Sequence, residues 1–82
     1  MLTIEIRDPE KAHIGMAELE IFCDEGGLAL LLRQLEHLRT GAGHVHLMTP
    51  GWAGNELDEK LFGKGTDLIN HLRVTMLPRS PS

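Results

Sequence analysis

The stretch LTIEIRDPEKAHIGMAELEIF, residues 2–22, decides the fold. Residues 2–7 alternate, with Leu2, Ile4 and Ile6 on one side and Thr3, Glu5 and Arg7 on the other. A period of two is the pattern of a strand with one buried face. Asp8-Pro9 breaks it, and residues 8–15 form a polar connection that closes at Gly15. Residues 16–22 alternate again, with Ala17, Leu19 and Ile21 apolar and Glu18 and Glu20 polar. Two alternating runs joined by a short polar loop predict an antiparallel hairpin.

The period then lengthens. Asp24 is placed to cap a helix, with Glu25 in the first turn, where a negative charge is favourable. Leu28, Leu31, Leu32, Leu35 and Leu38 follow at spacings of three and four, the stripe of an amphipathic helix. Leu30 falls outside that stripe and either widens it or meets another subunit. Gly41 and Gly43 supply the stop. Residues 44–48, HVHLM, alternate once more with Val45 and Leu47 inward, and Pro50 ends that run. Residues 69–77, INHLRVTML, give a last strand with Leu72, Val74 and Met76 on one side and His71, Arg73 and Thr75 on the other. The segment NELDEKLFGKG, residues 55–65, fits a single helical turn capped by Asn55 or a short irregular strand.

These elements predict an α+β two-layer sandwich. One amphipathic helix packs on one face of a mostly antiparallel four-stranded sheet, β-β-α-β-β, in the order 2-1-3-4. A single domain is expected over residues 1–78, with 79–82 a disordered tail.

Composition narrows the function. The chain has 82 residues, of which 41% are hydrophobic, enough for one modest core. With two Phe, one Trp and no Tyr, aliphatic side chains must fill it. A homodimer interface would help bury what one copy leaves exposed. Eight basic against twelve acidic residues, a net charge of −4, argues against nucleic acid as the partner. The lone Cys23 excludes an internal disulfide and a zinc site of paired cysteines. No secretory leader opens the chain and no apolar run approaches the roughly 20 residues of a membrane span, so the cytoplasm is the expected location.

The second sheet face is expected to expose a polar set that includes Glu5, Glu18, Glu20, His44, His46, His71 and Arg73. His44 and His46 share a face because side chains two apart in a strand do. If His71 on the next strand came level with them, three imidazoles would suit zinc with an open fourth position. Solvated or cross-strand-paired side chains explain the same pattern without a metal. No complete catalytic set is visible. Cys23 reads as a small filler, and Gly63-Lys64-Gly65-Thr66 lacks the first glycine of a phosphate loop. Trp52, bracketed by Pro50-Gly51 and Ala53-Gly54, either folds over the core edge or stands out as a contact.

GHVHLMTPGWAGNEL, residues 43–57, followed by LINHLRVTML, residues 68–77, resembles the immunity protein 32 family of bacterial polymorphic toxin systems. The likeness runs from about Gly43 to Leu77, while the upstream hairpin and helix agree in layout and not in motif. The resemblance implies a small, non-catalytic α+β protein, without a cofactor, that binds and blocks a cognate toxin in the bacterial cytoplasm. Two other readings stand beside it. One is a metal-binding protein or metal-dependent enzyme using His44, His46 and His71. The other is a structural dimerisation domain with the exposed sheet or Leu30 at its interface.

Overall fold

The computed structural model describes residues 1–78; the tail at 79–82, expected to be disordered, lies outside them. The elements run β1 (Leu2–Arg7), β2 (Glu18–Cys23), α1 (Glu25–Arg39), β3 (His44–Met48), β4 (Thr66–Leu68) and β5 (His71–Thr75). Short 3-10 turns, Pro9–Ile14 and Pro50–Trp52, follow β1 and β3. The described residues are α+β, with one helix and antiparallel strands, as expected. The hairpin forms with Ile4 opposite Ile21 and Ile6 opposite Leu19.

The single four-stranded sheet in the order 2-1-3-4 does not form. There are two sheets, one of order β2-β1-β4 and one pairing β3 with β5. β3 does not reach β1 because other chain occupies the second edge of β1. Residues 66–68 pair there antiparallel, with Leu68 opposite Glu5, and the Ile69 N–H extends the ladder to the Ile4 carbonyl at 2.8 Å. One residue later the Asn70 carbonyl accepts from the Thr49 N–H at 3.0 Å, and β5 then runs along β3. A run of chain from Thr66 to Thr75 thus changes partner between Ile69 and Asn70. The periodicity of 69–77 shows only its second half.

The segment at 55–65 is neither a helical turn nor a strand. It is an irregular strap tied at both ends. Leu57 donates its N–H to the Met48 carbonyl at 3.1 Å and inserts its buried side chain into the core. Asp58 donates its N–H to the Leu2 carbonyl, and its carboxylate accepts the Leu2 N–H, both at 2.8 Å. These bonds bridge the two sheets at the start of β1.

The strap also corrects the placement of Glu5, which alternation puts on an exposed face. Thr3 and Glu5 are fully buried. The Glu5 carboxylate accepts from the backbone N–H groups of Phe62 and Gly63, both at 3.0 Å. It also accepts from the hydroxyls of Thr66 at 2.6 Å and Thr3 at 2.8 Å. Phe62 stacks on Phe22 beside it, with ring centroids 6.3 Å apart. Both faces of β1 are therefore covered, one by the apolar core and the other by the strap.

The core is small: Leu2, Ile4, Leu38, Val45, Leu47 and Leu57, with Leu30, Leu31, Ile69, Leu72 and Val74 packed against it. The helix begins where expected, with the Asp24 carboxylate accepting from the Gly27 N–H at 2.8 Å. Its rotation differs from the leucine stripe. The Met1 backbone carbonyl lies so close that a Cβ on Gly27 would collide with it, so Gly27 must face inward. With Gly27 inward, Leu30, Leu31 and Leu38 turn to the core while Leu28, Leu32 and Leu35 turn to solvent. Leu30, placed outside the stripe by its spacing, is a core contact.

Burial pushes the Glu5 pKa up, but its four hydrogen bonds outweigh that and bring it from 4.5 down to about 2. The folded state therefore releases this proton at a lower pH than the unfolded chain does. The associated stabilisation is complete above pH 4.5 and is lost as pH falls toward 2. Glu5→Ala strands four donors and is expected to lower the unfolding free energy at pH 7 by about 3 kcal/mol or more. Urea titrations from pH 7 to pH 2 check both points. The acid-side slope of the wild type should flatten in Glu5→Gln, and an unchanged slope would disprove the role of this carboxylate.

Candidate functional site

The antiparallel pairing of β3 with β5 sets the register that spacing leaves open. His46 lies opposite Arg73, and Met48 opposite His71. His46 and His71 are thus diagonal neighbours on one face, a separation that long or aromatic side chains span. Their rings meet directly, His46 Nδ1 lying 2.6 Å from His71 Nε2. One of the two nitrogens carries the proton and the other accepts it. His44 meets the His46 ring edge-on with centroids 4.8 Å apart, and the His46 and His71 centroids are also 4.8 Å apart.

The turn after β3 brings a fourth ring to this cluster. Thr49 is fully buried, and its hydroxyl donates to the Asn70 side-chain oxygen at 2.7 Å, which pins the strand end to β5. Trp52, Ala53 and Gly54 then donate N–H bonds back to the Thr49, Pro50 and Thr49 carbonyls. Ala53 takes a left-handed conformation, φ 64°, where glycine is the usual residue. Gly54 has no such twist but has no room either, since a Cβ there would lie 2.5 Å from the Met48 Cβ. The Glu59 carboxylate accepts the Gly51 N–H and ties the turn to the strap. Trp52 emerges from this frame 56% exposed, its ring 5.9 Å from that of His71.

Of the residues picked out by sequence, the structure gathers His44, His46, His71 and Trp52, with Arg73 across from His46. It separates Glu18 and Glu20, which sit on β2 in the other sheet. There Arg7 lies 3.2 Å from Glu20 and 3.7 Å from Glu18, and it also donates to the Lys64 carbonyl at 2.7 Å. Glu5 is spent inside. Thr49, Asn70 and Glu59 hold the turn, yet sequence reasoning does not single them out. Their only mark is a Thr before Pro and an Asn before a strand, signals too common to select them.

The imidazoles converge, but His46 and His71 are hydrogen-bonded to each other and His44 only packs edge-on against His46. The two nitrogens that meet are closer than two ligands of one tetrahedral ion with bonds of about 2.0–2.1 Å. Among the described residues no group of three or more His, Cys, Asp or Glu side chains is arranged to hold a metal. No helix among them is long and apolar enough to cross a membrane.

A family model described as immunity protein 32 matches residues 18–72. That span runs from β2 into β5 and includes His44, His46, Trp52 and His71. Comparison with curated proteins and with solved structures returns no match.

The His46 pKa is lowered, first by burial and then by the neighbouring His44, His71 and Arg73. The folded chain therefore takes up this proton at a lower pH than the unfolded chain. Its part of the stability is present above the unfolded value of 6.5 and declines as pH falls below it. In an NMR titration His46 should titrate below that value, and Arg73→Ala should move it up. A His46 midpoint at or above 6.5 would contradict the arrangement.

Proposed function

The chain belongs to the immunity protein 32 family, and on that premise we propose that it neutralises a cognate toxin by binding it, in the cytoplasm of the bacterium that makes both. The observation that carries the reading is the family match over residues 18–72. Binding, not catalysis, is the mode this reading assigns. His46 and His71 hydrogen-bond to each other, and their cluster with His44 contains no hydroxyl or thiol nucleophile.

The face that suits recognition is the one formed by His44, His46, His71, Arg73 and Trp52. It joins a large exposed aromatic to polar rings and a guanidinium, the mixture enriched at the energetic centres of protein interfaces. The backbone beneath Trp52 is held in place before any partner arrives. Less freedom is lost when a side chain on a fixed backbone is immobilised than when one on a mobile backbone is.

Inspection of the neighbouring genes, followed by co-expression with any toxin-like domain found there, tests the proposal. The wild type is expected to rescue growth and to co-purify with the toxin. Trp52→Ala should keep its thermal midpoint and lose at least about tenfold in affinity, as for an interface hot spot. Lack of protection by the wild type, or a neighbourhood with no toxin-like gene, would overturn the reading. Full affinity in Trp52→Ala would move the contact to another face.

A further inference from the structure

The sheet face that carries α1 is only partly covered. Ile6 lies opposite Leu19, Ile4 opposite Ile21 and Leu2 opposite Cys23. Opposed residues of an antiparallel pair point the same way, so Leu19 and Ile21 share a face with Leu2, Ile4 and Ile6. Leu2 and Ile4 are sealed by the core, yet Leu19 remains 55% and Ile21 44% exposed. On α1 the rotation set by Gly27 leaves Leu28, Leu32 and Leu35 exposed as well. β2 is also an edge strand, and its outer edge has no backbone partner among the described residues.

We propose that this surface, the outer edge of β2 with Leu19, Ile21 and the helix leucines 28, 32 and 35, pairs with the same surface of a second copy. A two-fold axis perpendicular to the sheet joins the two β2 strands antiparallel and makes one six-stranded sheet. Both helices then lie on the face where Leu19 and Ile21 are bare.

The sequence of β2 selects the register. An axis at Glu20 sets that carboxylate against its own copy, and like charges directly opposite are unfavourable. An axis at Ile21 sets Ile21 against Ile21, Leu19 against Cys23, and Glu20 against Phe22. Arg7 already lies against Glu18 and Glu20 on the other face, which lowers the charge cost of bringing two such strands together. β2 contains no proline or lysine, the residues that commonly guard an edge.

The exposed side-chain area alone sets a weak association and does not by itself select the partner. The five side chains leave roughly 400 Å² open per copy, about half of the ~800 Å² per partner in a standard specific interface. The paired backbone edge and the Glu20 and Phe22 rim add to it. The same patch serves both partners, as a two-fold interface requires. The His and Trp52 face is not used, so this inference stands apart from toxin binding.

Sedimentation equilibrium of the untagged full chain, from about 1 to 200 µM, tests it by mass action. The wild type should pass from monomer to dimer within that range. Leu32→Glu and Leu19→Lys replace exposed side chains, and each should stay monomeric throughout with an unchanged circular dichroism spectrum. Ile21→Cys in a Cys23→Ser background should oxidise to a covalent dimer, since the axis brings that position against itself. A wild type that is monomeric at the highest concentration overturns the proposal. So does a dimer that survives both charge substitutions, or one in which the cysteine at position 21 does not cross-link.

Discussion

A carboxylate withdrawn from water must be met by donors, and Glu5 is met by four. Two are backbone N–H groups of Phe62 and Gly63, and two are hydroxyls of Thr3 and Thr66. One side chain thereby ties together β1, the strap and the start of β4. It fastens the strap to β1, sets where Thr66 enters the sheet, and so starts β4 in register with Arg7. It also explains how a strand of alternating pattern is buried on both faces. The apolar face is covered by the core, and the polar face by a loop that supplies hydrogen bonds in place of hydrophobic contact.

The split sheet follows from that anchoring. Once the chain from Thr66 is committed to β1, it cannot reach β3 until it leaves β1 at Ile69. The change of partner occurs between adjacent residues, and Asn70 opens the second pairing. Its carbonyl accepts from the Thr49 N–H, and its side chain accepts from the Thr49 hydroxyl. The same residue pair therefore begins the second sheet and roots the turn that presents Trp52. The face proposed for recognition is positioned by the far end of a linkage that begins at Glu5.

Local pattern makes the elements legible, and long-range pairing escapes it. The alternation of residues 2–7, the Asp24 cap and the HVHLM run each appear where periodicity puts them, because each depends on neighbours a few residues away. The choice between pairing β1 with β3 and pairing it with residues 66–69 depends on Glu5 meeting Phe62 and Gly63, 57 and 58 residues on. A Glu in an alternating strand looks like a solvated one. The rotation of the helix is hidden for a similar reason. Leucines outnumber the places the core has for them, so spacing alone offers two arcs. The close approach of the Met1 backbone to Gly27 chooses between them. The histidines are legible as a group on one face, but their contact needs the β3–β5 register, which no local signal carries.

The geometry of the Pro50–Trp52 turn bears on why an exposed tryptophan is tolerated there. An indole on a mobile loop would lose both backbone and side-chain freedom on binding, at a cost of order 1 kcal/mol for each residue immobilised. Here the backbone is already fixed. Thr49 is buried and bonded to Asn70, Glu59 holds Gly51, and Gly54 packs against Met48 with no space for a side chain. Ala53 keeps a left-handed conformation that costs about 1 kcal/mol and persists only where its surroundings enforce it. On the proposed reading, a turn fixed in this way holds the backbone beneath the indole in one position.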